Sequence, residues 1–302
     1  MGLFKKKGGT QVSFHTTSTI RPALAVLRVL DLQECLRFYQ EVIGLKVLSE
    51  TEESAELGVE SNEPLLRLVQ LQGGEERKET AGLYHVAFLV PSRENLADVF
   101  MHLLTTGYPL QGASHHEVSE AVYLSDPEGN GIEIYADTPS ENWVWRNGQV
   151  QMTTKALNAE NLLSQKTKSK WEGLPSGTVI GHIHLSVNNL EKAEAFYSAL
   201  GFQTVSQYAD AALFLSHGGY HHHIGINIWN SEGASPAGKK SSGLDYLSIF
   251  YPSEKNRREA IYALEELGIA LEERKDGIFA SDHSGITVQL IIEEKDEENG
   301  NI

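Results

Sequence analysis

Two stretches of the chain follow one template: LRVLDLQECLRFYQEVIGLKV, Leu27 to Val47, and LSVNNLEKAEAFYSALGFQTV, Leu185 to Val205. Each begins as an alternating strand, continues as an amphipathic helix carrying a Phe-Tyr pair, and meets a glycine that closes the helix before another strand. Phe38 and Tyr39 in the first copy match Phe196 and Tyr197 in the second. A fainter repeat relates GLYHVAFLVPSRENLADVFMHLLTTGY from Gly82 to GLDYLSIFYPSEKNRREAIYALEELGI from Gly243. Self-similarity of this kind marks repeated structural units. Four modules follow, at roughly 21–72, 81–137, 178–230 and 242–292, each with room for one strand, one helix and three further strands.

The modules fall into two tandem pairs, within 1–140 and 178–292. Residues 141–177 are polar, punctuated by Gly and Ser, and non-repeating, which reads as a linker with a short helix near Ala159 to Ser164. EEKDEENGNI, 293–302, reads as a disordered acidic tail. The 302 residues are 40% hydrophobic, enough for a sizeable core, and their formal charge of −16 opposes nucleic acid and anionic lipid. The one basic run is Lys5 to Lys7, the opening MGLFKKKGGT carries no apolar export segment, and Lys6 stands where N-myristoylation calls for Ser or Thr. No nucleic-acid or membrane partner is expected, and homo-oligomerisation is left open. Cys35, the single cysteine, excludes an intramolecular disulfide and fits a reducing cytoplasm; on a helix it reads as buried filler.

DLQECLRFYQEVIGLKV (31–47), YHVAFLV (84–90) and SDPEGNGIEIY (125–135) together make the chain resemble the vicinal oxygen chelate superfamily over nearly its whole length. The resemblance implies an α+β fold: four βαβββ modules forming two half-open mixed β-barrels with helices outside, a metal being held between two modules. It also implies ligand slots. One lies five residues before the end of each module's first strand and holds His85 in module two, His182 in module three, Leu24 in module one and Tyr246 in module four. The other is a carboxylate on the closing strand, Glu133 in module two, where module four offers Gln289. Modules two and three hold the full set, so they must pair across the linker, leaving one and four as a barrel without metal. Two imidazoles and one carboxylate with open positions are the donor set of non-haem Fe(II) oxygenases; Fe(II) is expected and Mn(II) suits the same donors. His184, on the same strand face as His182, is an alternative ligand. The plainer reading is that a histidine on an apolar strand is a satisfied core residue, and Glu133 an ordinary strand carboxylate.

GYHHHIGINIW, 219–229, sets three histidines in a row. Same-face strand neighbours lie roughly 6.5 to 7 Å apart, so His221, His222 and His223 do not chelate one ion together. HHIGI from His222 resembles the strand that carries the acid/base histidine of type I extradiol catechol dioxygenases, and that resemblance assigns the role to His222. Alternation groups His222 with Ile224 and Ile226, and His223 with Gly225 and Asn227; were the isoleucines to face the helices, His223 would point into the cavity instead. The same resemblance places a tyrosine ten residues before the glutamate, here Tyr123, and a further histidine upstream in SHHEVSE, His116 ahead of His115. DPEGNG is first of all a turn. Trp143, Trp145 and Trp171 either cover a substrate mouth or anchor the linker.

The expected activity is extradiol ring cleavage: O2 inserted into catechol or a simple substituted catechol, giving a 2-hydroxymuconic semialdehyde-type product. Hydroquinone cleavage is a close variant. A glyoxalase-like isomerase or lyase would use the metal as a Lewis acid and usually adds a fourth protein ligand, for which module three offers no second glutamate. A metal-free small-molecule-binding resistance protein would need no filled ligand slots.

Overall fold

The computed structural model describes residues 14–60, 63–78 and 80–292; the Lys5–Lys7 run and the acidic tail lie outside them. Module one comprises β1 (Arg21–Val29), α1 (Leu32–Phe38), β2 (Lys46–Glu50), β3 (Ser54–Gly58) and β4 (Leu66–Gln70). Module two comprises β5 (Gly82–Leu89), α2 (Arg93–Thr106), β6 (Gly112–His115), β7 (Ser119–Ser125) and β8 (Gly131–Asp137). The linker adds β9 (Trp145–Arg146), β10 (Gln149–Val150), β11 (Lys155–Ala156) and the short helix α3 (Ala159–Leu163). Module three comprises β12 (Val179–Ser186), α4 (Leu190–Ala199), β13 (Gln203–Tyr208), β14 (Ala212–Ser216) and β15 (Ile224–Asn227). Module four comprises β16 (Gly243–Tyr251), α5 (Glu254–Glu266), β17 (Leu271–Arg274), β18 (Gly277–Ser281) and β19 (Thr287–Ile292). No described helix is long and apolar enough to cross a membrane.

The four modules start their helices by one device. Asp31, Ser92, Asn189 and Ser253 are N-caps whose side chains accept the backbone N–H three residues on, satisfying a donor the helix leaves unpaired. Module one departs from its copies after Phe38: the backbone widens into a π turn over Tyr39–Ile43 and is closed by Gly44 at φ 90°, a left-handed conformation that favours glycine.

Within each module the first strand runs parallel to the last: β1 with β4, β5 with β8, β12 with β15, β16 with β19. Modules join through their first strands, antiparallel, β1 to β16 and β5 to β12. One sheet therefore runs β17-β18-β19-β16-β1-β4-β3-β2 and the other β11-β6-β7-β8-β5-β12-β15-β14-β13. Module one shares a sheet with four, and two with three; each sheet crosses the linker.

Strand alternation sorts the side chains. Leu27, Val86, Phe88, Ile183, Leu185, Leu247 and Ile249 face one continuous core with the helices. The opposite face of the β5–β8–β12 strands carries His85, Ala87, Glu133, Tyr135 and His182. Its counterpart in the other sheet is closed by Val26, Tyr246 and Phe279. Linker aromatics act mainly as anchors: Trp143 is buried and stacked on Phe14 at 5.3 Å, and Trp171 stacks on His102 at 4.2 Å. Trp145 is exposed, and none of the three lines the cavity described next.

Candidate metal centre

The concave face of the second sheet opens on a cavity of about 780 Å³. On its floor His85, His182 and Glu133, all buried, converge: the Nε2 atoms of His85 and His182 lie 3.0 and 3.1 Å from Glu133 Oε2 and 3.2 Å from one another. The register produces this. β5 and β12 are adjacent and antiparallel with Ala87 opposite His182, and β8 lies on the other side of β5 with Glu133 opposite Ala87. Ala87 is the small residue over which the three longer side chains meet. Among the described residues this is the one such group of His, Cys, Asp and Glu that could hold a metal ion.

The donor set fits a divalent ion. Three mutually cis donors at bond lengths of about 2.1 Å stand about 3.0 Å apart, and these three stand 3.0 to 3.2 Å apart. Without a cation the arrangement is costly, because two imidazole nitrogens and a carboxylate oxygen crowd one buried point. Burial pushes His182 down to about 4, the Glu133 carboxylate opposing only in part. Burial would raise Glu133, yet His182 and His85 hold it well below the usual carboxylate range. Metal binding requires the imidazoles neutral and the carboxylate ionised.

His184 also lines the cavity but is not in this group: its Nε2 accepts from Asn227 Nδ2 at 3.1 Å. Among the described residues the corresponding face of the other sheet has no such donor set. There Tyr246 packs on Phe279, Gln289 accepts from Ser248 Oγ at 2.7 Å, and Leu24 joins the apolar fill.

His222 lines the cavity, its ring centroid 4.1 Å from that of His182. His223 does not; it is buried against His15, Phe202 and Tyr220, its Nδ1 accepting from His217 N. The isoleucines Ile224 and Ile226 do face the core, and His222 reaches the cavity because the ladder begins at Ile224, leaving 221–223 free of strict alternation. Across the cavity Tyr123 and His116 form a pair. His116 Nδ1 lies 2.9 Å from the Thr153 carbonyl and must donate to it, so Nε2 accepts from the Tyr123 hydroxyl at 2.7 Å. Burial first, then Glu133, pushes that hydroxyl well above its usual range. His115 is turned away, its Nδ1 accepting from Glu117 N. The rim is aromatic: Tyr84 and Trp229, both partly exposed, lie 5.2 Å apart.

Several residues of the site carried no readable signal as isolated letters. A side chain at Gly131, opposite His85, would overlap the Tyr84 carbonyl, and one at Gly181 would overlap the Tyr135 hydroxyl, so both glycines are required by close approach. Tyr135 and Asp137 were findable: they follow Glu133 at alternate positions and so share its face.

A sequence profile of the Glyoxalase/Bleomycin resistance protein/Dioxygenase superfamily matches residues 20–134. A catechol-2,3-dioxygenase of Bacillus subtilis (strain 168) is 41% identical over 275 residues, 89% of this chain and 96% of the relative. Biphenyl-2,3-diol 1,2-dioxygenase 3 of Rhodococcus globerulus is 29% identical over 143 residues, 45% of this chain and 75% of the relative. Among solved structures, glyoxalase I from Zea mays aligns over 91% of this chain and 92% of its own at a TM-score of 0.57 and 18% identity, a likeness of fold alone.

Proposed function

The chain belongs to the glyoxalase/bleomycin resistance protein/dioxygenase superfamily, and on that premise we propose that it is an extradiol dioxygenase cleaving catechol or a simple substituted catechol. The observation that carries the reading is the donor triangle of His85, His182 and Glu133 on the floor of a cavity with an aromatic rim. Both oxygen atoms of O2 enter the product, and the ring bond beside the diol breaks to give a 2-hydroxymuconic semialdehyde-type compound. A divalent ion bound by the three residues supplies electron transfer between the diol and oxygen; Fe(II) is the ion we expect, and Mn(II) suits the same donors.

The protein's own groups do the rest. His222, on the cavity wall beside His182, takes a proton from a substrate hydroxyl and later returns it. Tyr123, held by His116, presents its hydroxyl toward the reacting oxygens and fixes the substrate's orientation. Tyr84 and Trp229 offer their rings to an aromatic substrate at the rim.

One observation favours this over glyoxalase-type isomerisation. Glu133 stands opposite Ala87, and the equivalent place in module three, opposite His184, is Gly225, which has no side chain to give a fourth ligand. Anaerobic loading with Fe(II), followed by oxygen uptake with catechol and metal analysis, tests the reading. Uptake stoichiometric with ring-fission product supports it; bound metal without uptake points to the isomerase, and neither to a metal-free binding protein.

A further inference from the structure

Behind His222, away from the cavity, lies a chain of buried polar groups that the proposed reaction has not yet used. His222 Nδ1 is 2.7 Å from His221 Nδ1, and His221 Nε2 is 2.9 Å from Asp137 Oδ1. The same Asp137 oxygen receives the Tyr220 hydroxyl at 3.0 Å, and Tyr220 in turn lies 2.7 Å from the Tyr135 hydroxyl. His221, Tyr220 and Tyr135 are wholly buried.

With both imidazoles neutral and Asp137 ionised, donor and acceptor counting fixes the direction of every bond in this chain. A carboxylate only accepts, so Tyr220 donates to Asp137 and Tyr135 donates to Tyr220. His221 Nε2 likewise donates to Asp137, which leaves a neutral His221 with its lone pair on Nδ1. Two nitrogens 2.7 Å apart share one proton, and that proton therefore belongs to His222 Nδ1. The remaining nitrogen, His222 Nε2, has no hydrogen-bond partner among the described residues, and its ring is on the cavity wall.

We infer that Asp137 and His221 are positioning residues that lock His222 in the tautomer protonated on Nδ1, so that its Nε2 lone pair faces the cavity. This rests on the reading of His222 as the proton acceptor. The physical need is plain: a neutral imidazole with its hydrogen on Nε2 has no lone pair to offer a substrate hydroxyl, and which nitrogen carries the hydrogen is set by the bond the other one makes. An aspartate serves a catalytic histidine this way in hydrolytic triads; here one imidazole is interposed, and it passes on the same polarity. Tyr220 and Tyr135 hold the aspartate in place, and Gly181 leaves room for the Tyr135 hydroxyl under β12.

The test reads the tautomer directly and without turnover. In metal-free protein labelled with 15N-histidine, with His221 and His222 assigned by single substitution, His222 should carry its hydrogen on Nδ1 and His221 on Nε2. Asp137→Leu removes the acceptor of the His221 Nε2 hydrogen, which frees His221 to carry its hydrogen on Nδ1 and so moves the His222 hydrogen to Nε2. In the Fe(II)-loaded enzyme that variant should lose at least about 100-fold in kcat with KM and metal content unchanged. His221→Gln, which can still donate at one end and accept at the other, should retain far more activity than His221→Phe; this pair decides the matter if Asp137→Leu does not fold. A wild-type His222 protonated on Nε2, or equal loss in His221→Gln and His221→Phe, overturns the inference. Should the tautomer be as stated while the wild type consumes no oxygen with catechol, the positioning stands and the oxygenase reading falls.

Discussion

His85 and His182 present their Nε2 atoms 3.2 Å apart although 97 residues separate them in sequence. The antiparallel pairing of β5 with β12 is the cause, because it sets the first strands of modules two and three side by side with both histidines on the concave face. The other sheet repeats that pairing with β1 and β16, and there the same positions hold Leu24 and Tyr246. One architecture thus produces two concave faces, and the residues at these slots give one of them, among the described residues, a candidate donor set.

Of the three proposed ligands, Glu133 is the one whose loss should matter most, since its Oε2 faces both imidazoles. Glu133→Ala leaves two neutral nitrogens with no charge to hold a dication, and metal affinity should fall well beyond the 10- to 100-fold typical of outer-sphere substitutions. Metal analysis after dialysis against a weak chelator measures this. Retention of stoichiometric metal in the variant would remove Glu133 from the site.

The repeat, the module count and the residues that converge at His85, His182 and Glu133 were legible because each leaves a local mark: a Phe-Tyr pair after an N-cap, a histidine at a fixed distance from a strand end. What could not be read was how modules close on one another. The Phe-Tyr motif illustrates the gap. Tyr39 of module one donates to Asp126 of module two, and Tyr197 of module three to Asp282 of module four, so these tyrosines tie together sequence neighbours that lie in different sheets. The DPEGNG turn is part of the same device, its Asp126 also accepting the backbone N–H groups of Glu128 and Asn130. The His222–His221–Asp137 chain was equally invisible, since two residues brought together only by the β8 strand end and the 217–223 loop share no periodicity.

The two tyrosine ties should differ in strength. Tyr39 reaches Asp126 at 3.0 Å, Tyr197 reaches Asp282 at 3.5 Å, and both pairs are buried. Tyr39→Phe removes a hydrogen bond to a buried carboxylate and should cost about 1–3 kcal/mol. Tyr197→Phe should cost distinctly less. Urea unfolding of the two variants under the same conditions gives the comparison, and an equal or reversed ranking would refute it.

Asp282 should give the protein an acid-side stability gain. Burial raises its carboxyl to about 6, the N–H groups of Ile286 and Ser284 and the Tyr197 hydroxyl opposing only in part. The folded state therefore holds this proton more tightly than the unfolded chain, whose value is 3.8. The contribution is fully present below pH 3.8 and is lost as pH rises through about 6, a total of about 3 kcal/mol for a shift of about two units. Asp282→Asn keeps an acceptor for the two N–H groups and removes the titration. The stability of wild type minus variant, measured by urea unfolding between pH 4 and 7, should fall as pH rises; a flat difference would show that Asp282 does not titrate in this range.

Gly131 couples the backbone to the candidate metal centre. It is paired with His85 across β5 and β8, and a Cβ there would overlap the Tyr84 carbonyl oxygen and press on the His85 Cβ. Backbone cannot yield as a flexible side chain can, so Gly131→Ala must part the two strands that carry His85 and Glu133. The expected result is a loss of about 1–3 kcal/mol in stability together with weakened metal binding, because the donor spacing of 3.0 Å between His85 and Glu133 depends on that strand separation. A glycine elsewhere serves as the control: at Gly112 a Cβ meets nothing within 4 Å, and Gly112→Ala should leave metal affinity as it is. If Gly131→Ala binds metal as tightly as Gly112→Ala, the close approach of β5 and β8 does not set the ligand geometry.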